Sequence, residues 1–353
     1  MRVVRELRAV AAFVTLLAGC GGGGGGDEAS GVGSVPTPRV ALSDAEATEA
    51  ATGAGLTLAS MLRALATDPP GVASSADVAR TAGAMATAAG QSAGCVNGGS
   101  LTAACRVDHG RSVLTATARE CQLDGTVNGL QVTIAGGLRA TINDADVCRS
   151  GVIPNAAVRT YRFTDFQGVT RNGVQIVEEF TTQDLTQVVQ PLGVGCAGAQ
   201  AEVTTRGRVR VRRSNGTDLL IDALPLTLTV LSDGTPCAQH ISGSGRADVR
   251  DYASGHALRA ALDGLSLVNR IGAPDVEFDG AVAVDCIGAL EFATDEPLLL
   301  TTPCASAGAL RIHLPSGAMA RSRFDASGLA LDANGDGIPE RTVADCTAAS
   351  TCR

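Results

Sequence analysis

Two hydrophobic periods divide the chain. Over 43–66, "SDAEATEAATGAGLTLASMLRALA", apolar positions Ala47, Ala50, Ala54, Leu58, Met61 and Leu65 recur at helical spacing. Ser43 followed by Glu46 forms a capping box at the start, and Asp68-Pro69-Pro70-Gly71 closes the run. Residues 75–90, "SADVARTAGAMATAAG", predict a second, Ala-rich helix with Val78 and Met85 on its apolar side. Together, 43–94 read as a helical hairpin.

From Cys95 onward the period changes to two. "LQVTIAGGLRATI", "VQIVEEF", "AEVTTRGRVRVRR", "LLIDALPLTLTVL", "VEFDGAVAV" and "GALRIHLPSGAMARSRF" alternate as strands do, with Gly, Asn, Asp and Pro clusters between them. The Asn-Gly pairs in "RSNGTD" and "VNG" suit tight hairpin turns. No helical crossover separates the strands, so the predicted fold is mainly β. It is an antiparallel meander or sandwich-like domain over 95–353, in one piece or two stacked halves, behind the helical hairpin. No exact repeat is visible. "ARECQLDGTVNGLQVTI" and "YRFTDFQGVTRNGVQIV" echo each other only loosely.

The first twenty residues carry different information. Arg2, Arg5 and Arg8 precede a short apolar stretch, Ala9 to Leu17, the layout of a secretory signal and too short to span a bilayer as a helix. It ends in Leu17-Ala18-Gly19-Cys20, which resembles the lipobox of bacterial lipoproteins, here of an uncharacterised β-rich type. The resemblance implies a signal peptide over 1–19, cut before Cys20, and a Cys20 that carries diacylglycerol on sulfur and a further acyl chain, such as palmitate, on its amine. Several chains on one residue anchor firmly, since each buried methylene contributes about 0.8 kcal/mol. Gly21 stands where Asp would favour inner-membrane retention in that family, so the implied address is the outer membrane, facing the periplasm or the surface. Residues 20–42 follow as a Gly- and Pro-rich leash; 21–42 as flexible coil reach roughly 25 Å.

Composition removes several function classes. Loss of the signal, with three Arg and one Glu, takes the formal charge from −8 to −10, a poor match to nucleic acid or to anionic membrane. No Trp, two Tyr and seven Phe leave too few rings for the aromatic girdles of a membrane barrel or for stacking platforms. Phe163, Phe166, Phe180, Phe278, Phe292 and Phe324 are needed in the core. All 28 basic residues are arginine, which excludes lysine Schiff-base chemistry and a lysine-bearing phosphate loop.

Of eleven cysteines, ten remain once Cys20 bears lipid, an even number suited to disulfides in an exported chain. None lies in C-x-x-C, and no histidine stands at zinc-ligand spacing. Connectivity does not follow from sequence. The working expectation is neighbour pairing: Cys95–Cys105, Cys121–Cys148, Cys196–Cys237, Cys286–Cys304 and Cys346–Cys352.

Three stretches are candidates for chemistry. In 332–340, "DANGDGIPE", Asp332, Asn334 and Asp336 with Gly337 match the first half of an EF-hand loop, while Ile338 offers a carbonyl and Glu340 another oxygen for calcium. Val343 stands where the bidentate Glu belongs, and the same residues suit a hairpin turn. In "RGRVRVRR", Arg206, Arg208, Arg210 and Arg212 share one face of a strand about 6.6 Å apart, a row fit to clamp anions or to pair with acids such as Glu178, Glu179 and Asp184 on neighbouring strands. "GQSAG" at 90–94 satisfies G-x-S-x-G around Ser92, without the strand–turn–helix that a nucleophile elbow needs. His109, His240, His256 and His313 are scattered.

The sequence therefore points to an outer-membrane-anchored lipoprotein with a non-catalytic structural or binding role and no required cofactor. Its partners would be the membrane, through the anchor, and an envelope protein or anionic ligand, not nucleic acid. The alternatives are a calcium-dependent interaction module using 332–340 and an envelope hydrolase whose site is assembled only in space.

Overall fold

Ser43 and Glu46 form the reciprocal cap that their spacing predicts: Ser43 N–H donates to Glu46 Oε2 at 2.9 Å, and Glu46 N–H donates to Ser43 Oγ at 3.4 Å. They open helix α1 (Asp44–Ala66). The computed structural model describes residues 42–66, 93–95, 98–123, 131–154, 156–270, 275–301 and 304–344. The predicted helix over 75–90 lies outside them. Instead of showing one apolar side to a partner helix, α1 is buried on every side: each residue from Ala47 to Ala59 is inside. Helices buried all round belong to an interior. The residues are mostly small, and Gly55 has a specific reason to be, since a Cβ there would lie 2.9 Å from the Phe292 ring.

What surrounds it is one sheet. The strands are β1 (Ala93–Gly94), β2 (Ser100–Asp108), β3 (Arg111–Gln122), β4 (Gln131–Ile142) and β5 (Arg159–Asn172). The long middle follows: β6 (Gln175–Gly195), β7 (Gly198–Arg213), β8 (Asp218–Asp233), β9 (Ala238–Asp251) and β10 (Ala257–Arg270). The last six are β11 (Asp275–Val284), β12 (Gly288–Thr301), β13 (Cys304–His313), β14 (Met319–Asp325), β15 (Gly328–Asp332) and β16 (Arg341–Val343). A single turn of helix, α2 (Val147–Ser150), interrupts the connection from β4 to β5. Among the described residues the sixteen strands pair in chain order, every pair antiparallel, as a meander in a single sheet rather than two sheets face to face.

The helix measures how far this sheet curls. The Arg213 guanidinium, at the end of β7, donates to the carbonyl of Ala64 at 2.8 Å, and Arg341 on β16 pairs with Glu49. Those two helix positions are fifteen residues apart, about 22 Å. In a flat sheet, nine strand spacings between β7 and β16 would span about 43 Å. The two arginine side chains together cannot make up that difference, so the sheet wraps around α1. Gly243 on β9, Phe292 on β12 and Ser322 on β14 meet Leu62, Gly55 and Thr52 between those limits.

A repeated local device accompanies the curl. On β6, β8, β10 and β12 a pairing register shifts and resumes at a fully buried leucine: Leu185, Leu226, Leu265 and Leu298. The following strand then presents a glycine with positive φ: Gly207, Gly245, Gly280 and Gly308. A Cβ on Gly207 would stand 2.3 Å from the Asp184 carbonyl oxygen, and one on Gly245 2.3 Å from that of Pro225. Bulges paired with glycines are how a sheet turns a corner. The sequence around the pairs varies ("DLTQ", "PLTL", "GLSL", "PLLL"), which is why the repeat is invisible until the strands are paired.

The core is one cluster that includes α1 and the inward positions of the strands. Phe163 stacks edge-on against Phe166 and Phe180 at 5.1 and 5.7 Å between centroids, and Phe278 meets Phe292 at 5.3 Å. The outward positions are mostly polar, with scattered exposed apolar residues such as Val107 and Leu224, and carry arginine–carboxylate pairs. That is the reverse of a lipid-facing barrel, whose exterior is apolar. Among the described residues no helix is long and apolar enough to cross a membrane.

Neighbour pairing of cysteines is corrected at the start of the sheet. Cys95 bonds Cys121, and Cys105 bonds Cys148. The chain reverses between β1 and β2, with Gly94 opposite Ser100, so Cys95 sits at that turn and Cys105 lies five residues beyond Ser100 on β2, about 17 Å down the strand and far beyond the roughly 6 Å between bridged Cα atoms. The β2–β3 hairpin instead returns Cys121 beside Cys95, and α2 brings Cys148 to Cys105. Cys196 and Cys237, on adjacent hairpin turns, bond each other. Cys286 is also disulfide-bonded. The expected pairs Cys286–Cys304 and Cys346–Cys352 involve side chains outside the described residues.

Candidate functional site: an acidic hairpin turn and an arginine face

The loop from β15 to β16 gathers three carboxylates. Asp332 ends β15, 5% exposed, and one oxygen each of Asp332, Asp336 and Glu340 lies within 4.8 Å of the others. Backbone donors hold them there. Gly335 N–H and Gly337 N–H reach the two oxygens of Asp332 at 2.7 and 2.8 Å, Ala333 N–H reaches Glu340 Oε2 at 2.6 Å, and Ile338 N–H reaches Asp336 Oδ1 at 2.8 Å. Asn334 bridges to Asp336 twice, accepting from its N–H and donating through Nδ2. The tight bend requires Gly335 and Gly337, both in the left-handed region.

The flanking elements are strands, so the turn reading of 332–340 holds for the backbone, and the EF-hand comparison stops at ligand chemistry. Val343, at the twelfth position, is buried on β16 opposite Leu329 and offers no oxygen ligand from its side chain. Glu340, which the spacing offers as a further oxygen, does join Asp332 and Asp336 in the cluster. A three-carboxylate set of oxygen donors suits a hard divalent cation such as calcium.

The arginine row on β7 is largely neutralised. Arg208 binds Asp222 at 2.9 Å, and Arg210 binds Asp218 through two bonds at 2.8 and 2.9 Å while its guanidinium lies 4.5 Å from the Tyr252 ring centre. Hydrogen bonds to Asp218 hold the Arg210 pKa above its ordinary value against partial desolvation. Arg212 meets Glu179 at 3.0 Å, and Glu178 takes Arg213. Asp184 is occupied by Arg162. Arg206 is exposed and has no ion pair or hydrogen bond among the described residues. The four arginines are thus three cross-strand pairs and one open cation, not a continuous clamp.

The remaining candidates do not converge. His109 sits at the β2–β3 turn, His240 reaches Asp233 at 3.1 Å on the β8–β9 hairpin, His256 is buried beside the β9–β10 turn, and His313 ends β13. Cys20 and Ser92 lie outside the described residues. No protein-family model, curated protein or solved structure matches the chain.

Proposed function

We propose that the protein is a lipid-anchored component of the outer membrane whose β domain has a non-catalytic structural or binding role. The observation that carries this is the order of parts at the N-terminus. A short apolar run ends in Leu17-Ala18-Gly19-Cys20, a glycine leash follows, and the leash enters the cap of α1. Because α1 lies in the middle of the core, an anchor at Cys20 would be attached through the best-held element of the domain. Three disulfides among the described residues agree with an oxidising compartment. Mass spectrometry of the exported chain tests the reading: the expected product starts at Cys20 with acyl chains, and Cys20→Ser moves the protein to the soluble fraction. An unmodified or disulfide-bonded Cys20 defeats it.

A second reading is favoured by the convergence of Asp332, Asp336 and Glu340. In it the β15–β16 turn binds calcium and steadies the last strand, making any interaction of that end of the sheet calcium-dependent. Isothermal titration with calcium should show one site, lost in Asp336→Ala and Glu340→Gln. No heat above dilution would remove this reading and leave the anchor proposal untouched.

A further inference from the structure

Among the described residues, arginines stand directly opposite each other at two places on the outer face, and acids relieve only one of them. Where arginines meet in register on β13 and β14, Arg311 opposite Arg321, Asp295 lies between them at 3.4 and 3.2 Å and Glu296 reaches Arg321 as well. Like charges set directly opposite destabilise a sheet, and here the acids remove the conflict. Arg139 on β4 stands directly opposite Arg162 on β5 without such relief. Arg139 has no hydrogen bond or ion pair among the described residues, and the one carboxylate at hand, Asp184, reaches only Arg162, at 3.3 and 3.5 Å, with the two side chains 62% and 64% exposed. The register continues from Arg162 to Thr186 on β6 and from Thr186 to Arg206 on β7, the arginine left open above. The three arginines are exposed on the same face.

We propose that Arg139, Arg162 and Arg206, with the Thr186 hydroxyl between the last two, form a binding row for a linear polyanion bearing phosphate or sulfate groups. Arg139 and Arg162 are about 5 Å apart at Cβ, and Arg206 lies two strands beyond Arg162, about 10 Å further on. Guanidinium groups bind such anions bidentately, and a threonine hydroxyl adds a donor. The shape argues for a chain rather than a plane of headgroups. The row is one residue wide, with Thr141, Thr160, Val188 and Thr204 along one side and Asp184 and the Arg208–Asp222 pair along the other. A like-charge pair in direct register, continued across the sheet by an exposed arginine without an ion pair, is the kind of local conflict that marks a functional position. The proposal does not rest on the lipid anchor or on calcium.

The test uses the full-length chain in nonionic detergent, with inorganic polyphosphate as the probe and binding measured across a salt series. Arg139→Thr, Arg162→Thr and Arg206→Thr should each weaken binding about tenfold and flatten its salt dependence. Arg259→Thr, which removes an arginine already paired with Asp248, should leave it unchanged. Arg139→Thr should also melt no lower than the parent, because it removes a repulsion. The proposal is overturned by an absence of polyphosphate binding, by orthophosphate binding equally well, or by binding that appears only in micelles doped with phosphatidylglycerol. It is likewise overturned if Arg139→Thr lowers the melting temperature and leaves affinity intact, which would make the row structural.

Discussion

Glu49, 1% exposed in the second turn of α1, is paired with Arg341 on the last strand. The contact joins residues 292 positions apart and ties the interior helix to the end of the sheet. Removing one partner of a buried pair takes away compensation that the remaining charge needs. Arg341→Ala should therefore destabilise the protein by about 3 kcal/mol, with Glu49→Gln costing less because the amide still accepts a hydrogen bond. Urea melts of the two variants check the order. Equal, negligible losses would show that β16 is not needed to hold the helix.

The bulge–glycine pairs make a sharper contrast. Gly245→Ala places a Cβ 2.3 Å from the Pro225 carbonyl at φ +112, so backbone must move. Gly173→Ala, in the β5–β6 turn at φ +57, meets nothing within 4 Å. The first should cost about 3 kcal/mol or prevent folding, the second about 1 kcal/mol. Thermal melts that rank them the other way would remove the corner-turning role of Gly245.

Peptide mapping under non-reducing conditions should recover Cys95–Cys121 and Cys105–Cys148 as linked fragments. Cys105→Ser with Cys148→Ser opens a loop of 43 residues' separation, and the chain-entropy estimate for that loop is about 4 kcal/mol. Recovery of Cys95 joined to Cys105 would mean that the β2–β3 hairpin is not paired as described.

The cap of α1 gives a pH dependence. Hydrogen bonds from the Ser43 side chain and backbone, with a smaller contribution from Arg341, hold the Glu46 carboxyl below its ordinary pKa. A group whose folded pKa is depressed contributes stability that is present above its unfolded pKa and lost as pH falls through the folded value. Glu46→Gln should thus narrow the gap in melting temperature between neutral and acid pH, and Ser43→Ala should cost about 1 kcal/mol at neutral pH. Parallel pH profiles for parent and Glu46→Gln would show that the cap does not titrate.

Calcium supplies the last comparison. Excess calcium should raise the melting temperature relative to chelator, and Asp332→Asn should abolish that rise, since Asp332 is the buried member of the set. Identical melts in calcium and chelator would leave 332–340 as a turn alone.

Much of this architecture follows from local chemistry. Ser43 and Glu46 announce the helix because a capping box needs only four consecutive residues, and the alternating strands with their Asn-Gly turns announce an antiparallel meander because period two is a property of each strand alone. Asp332, Asn334 and Asp336 are legible for the same reason. What depended on the tertiary structure is whatever joins distant residues. The burial of α1 on every side, the Cys95–Cys121 and Cys105–Cys148 pairs, and the bulge facing each corner glycine all arise only when strands are set in register and the sheet has curled. The row of Arg139, Arg162 and Arg206 is the clearest case. Its members are 23 and 44 residues apart in sequence, and cross-strand register, which no single segment encodes, is what makes them neighbours.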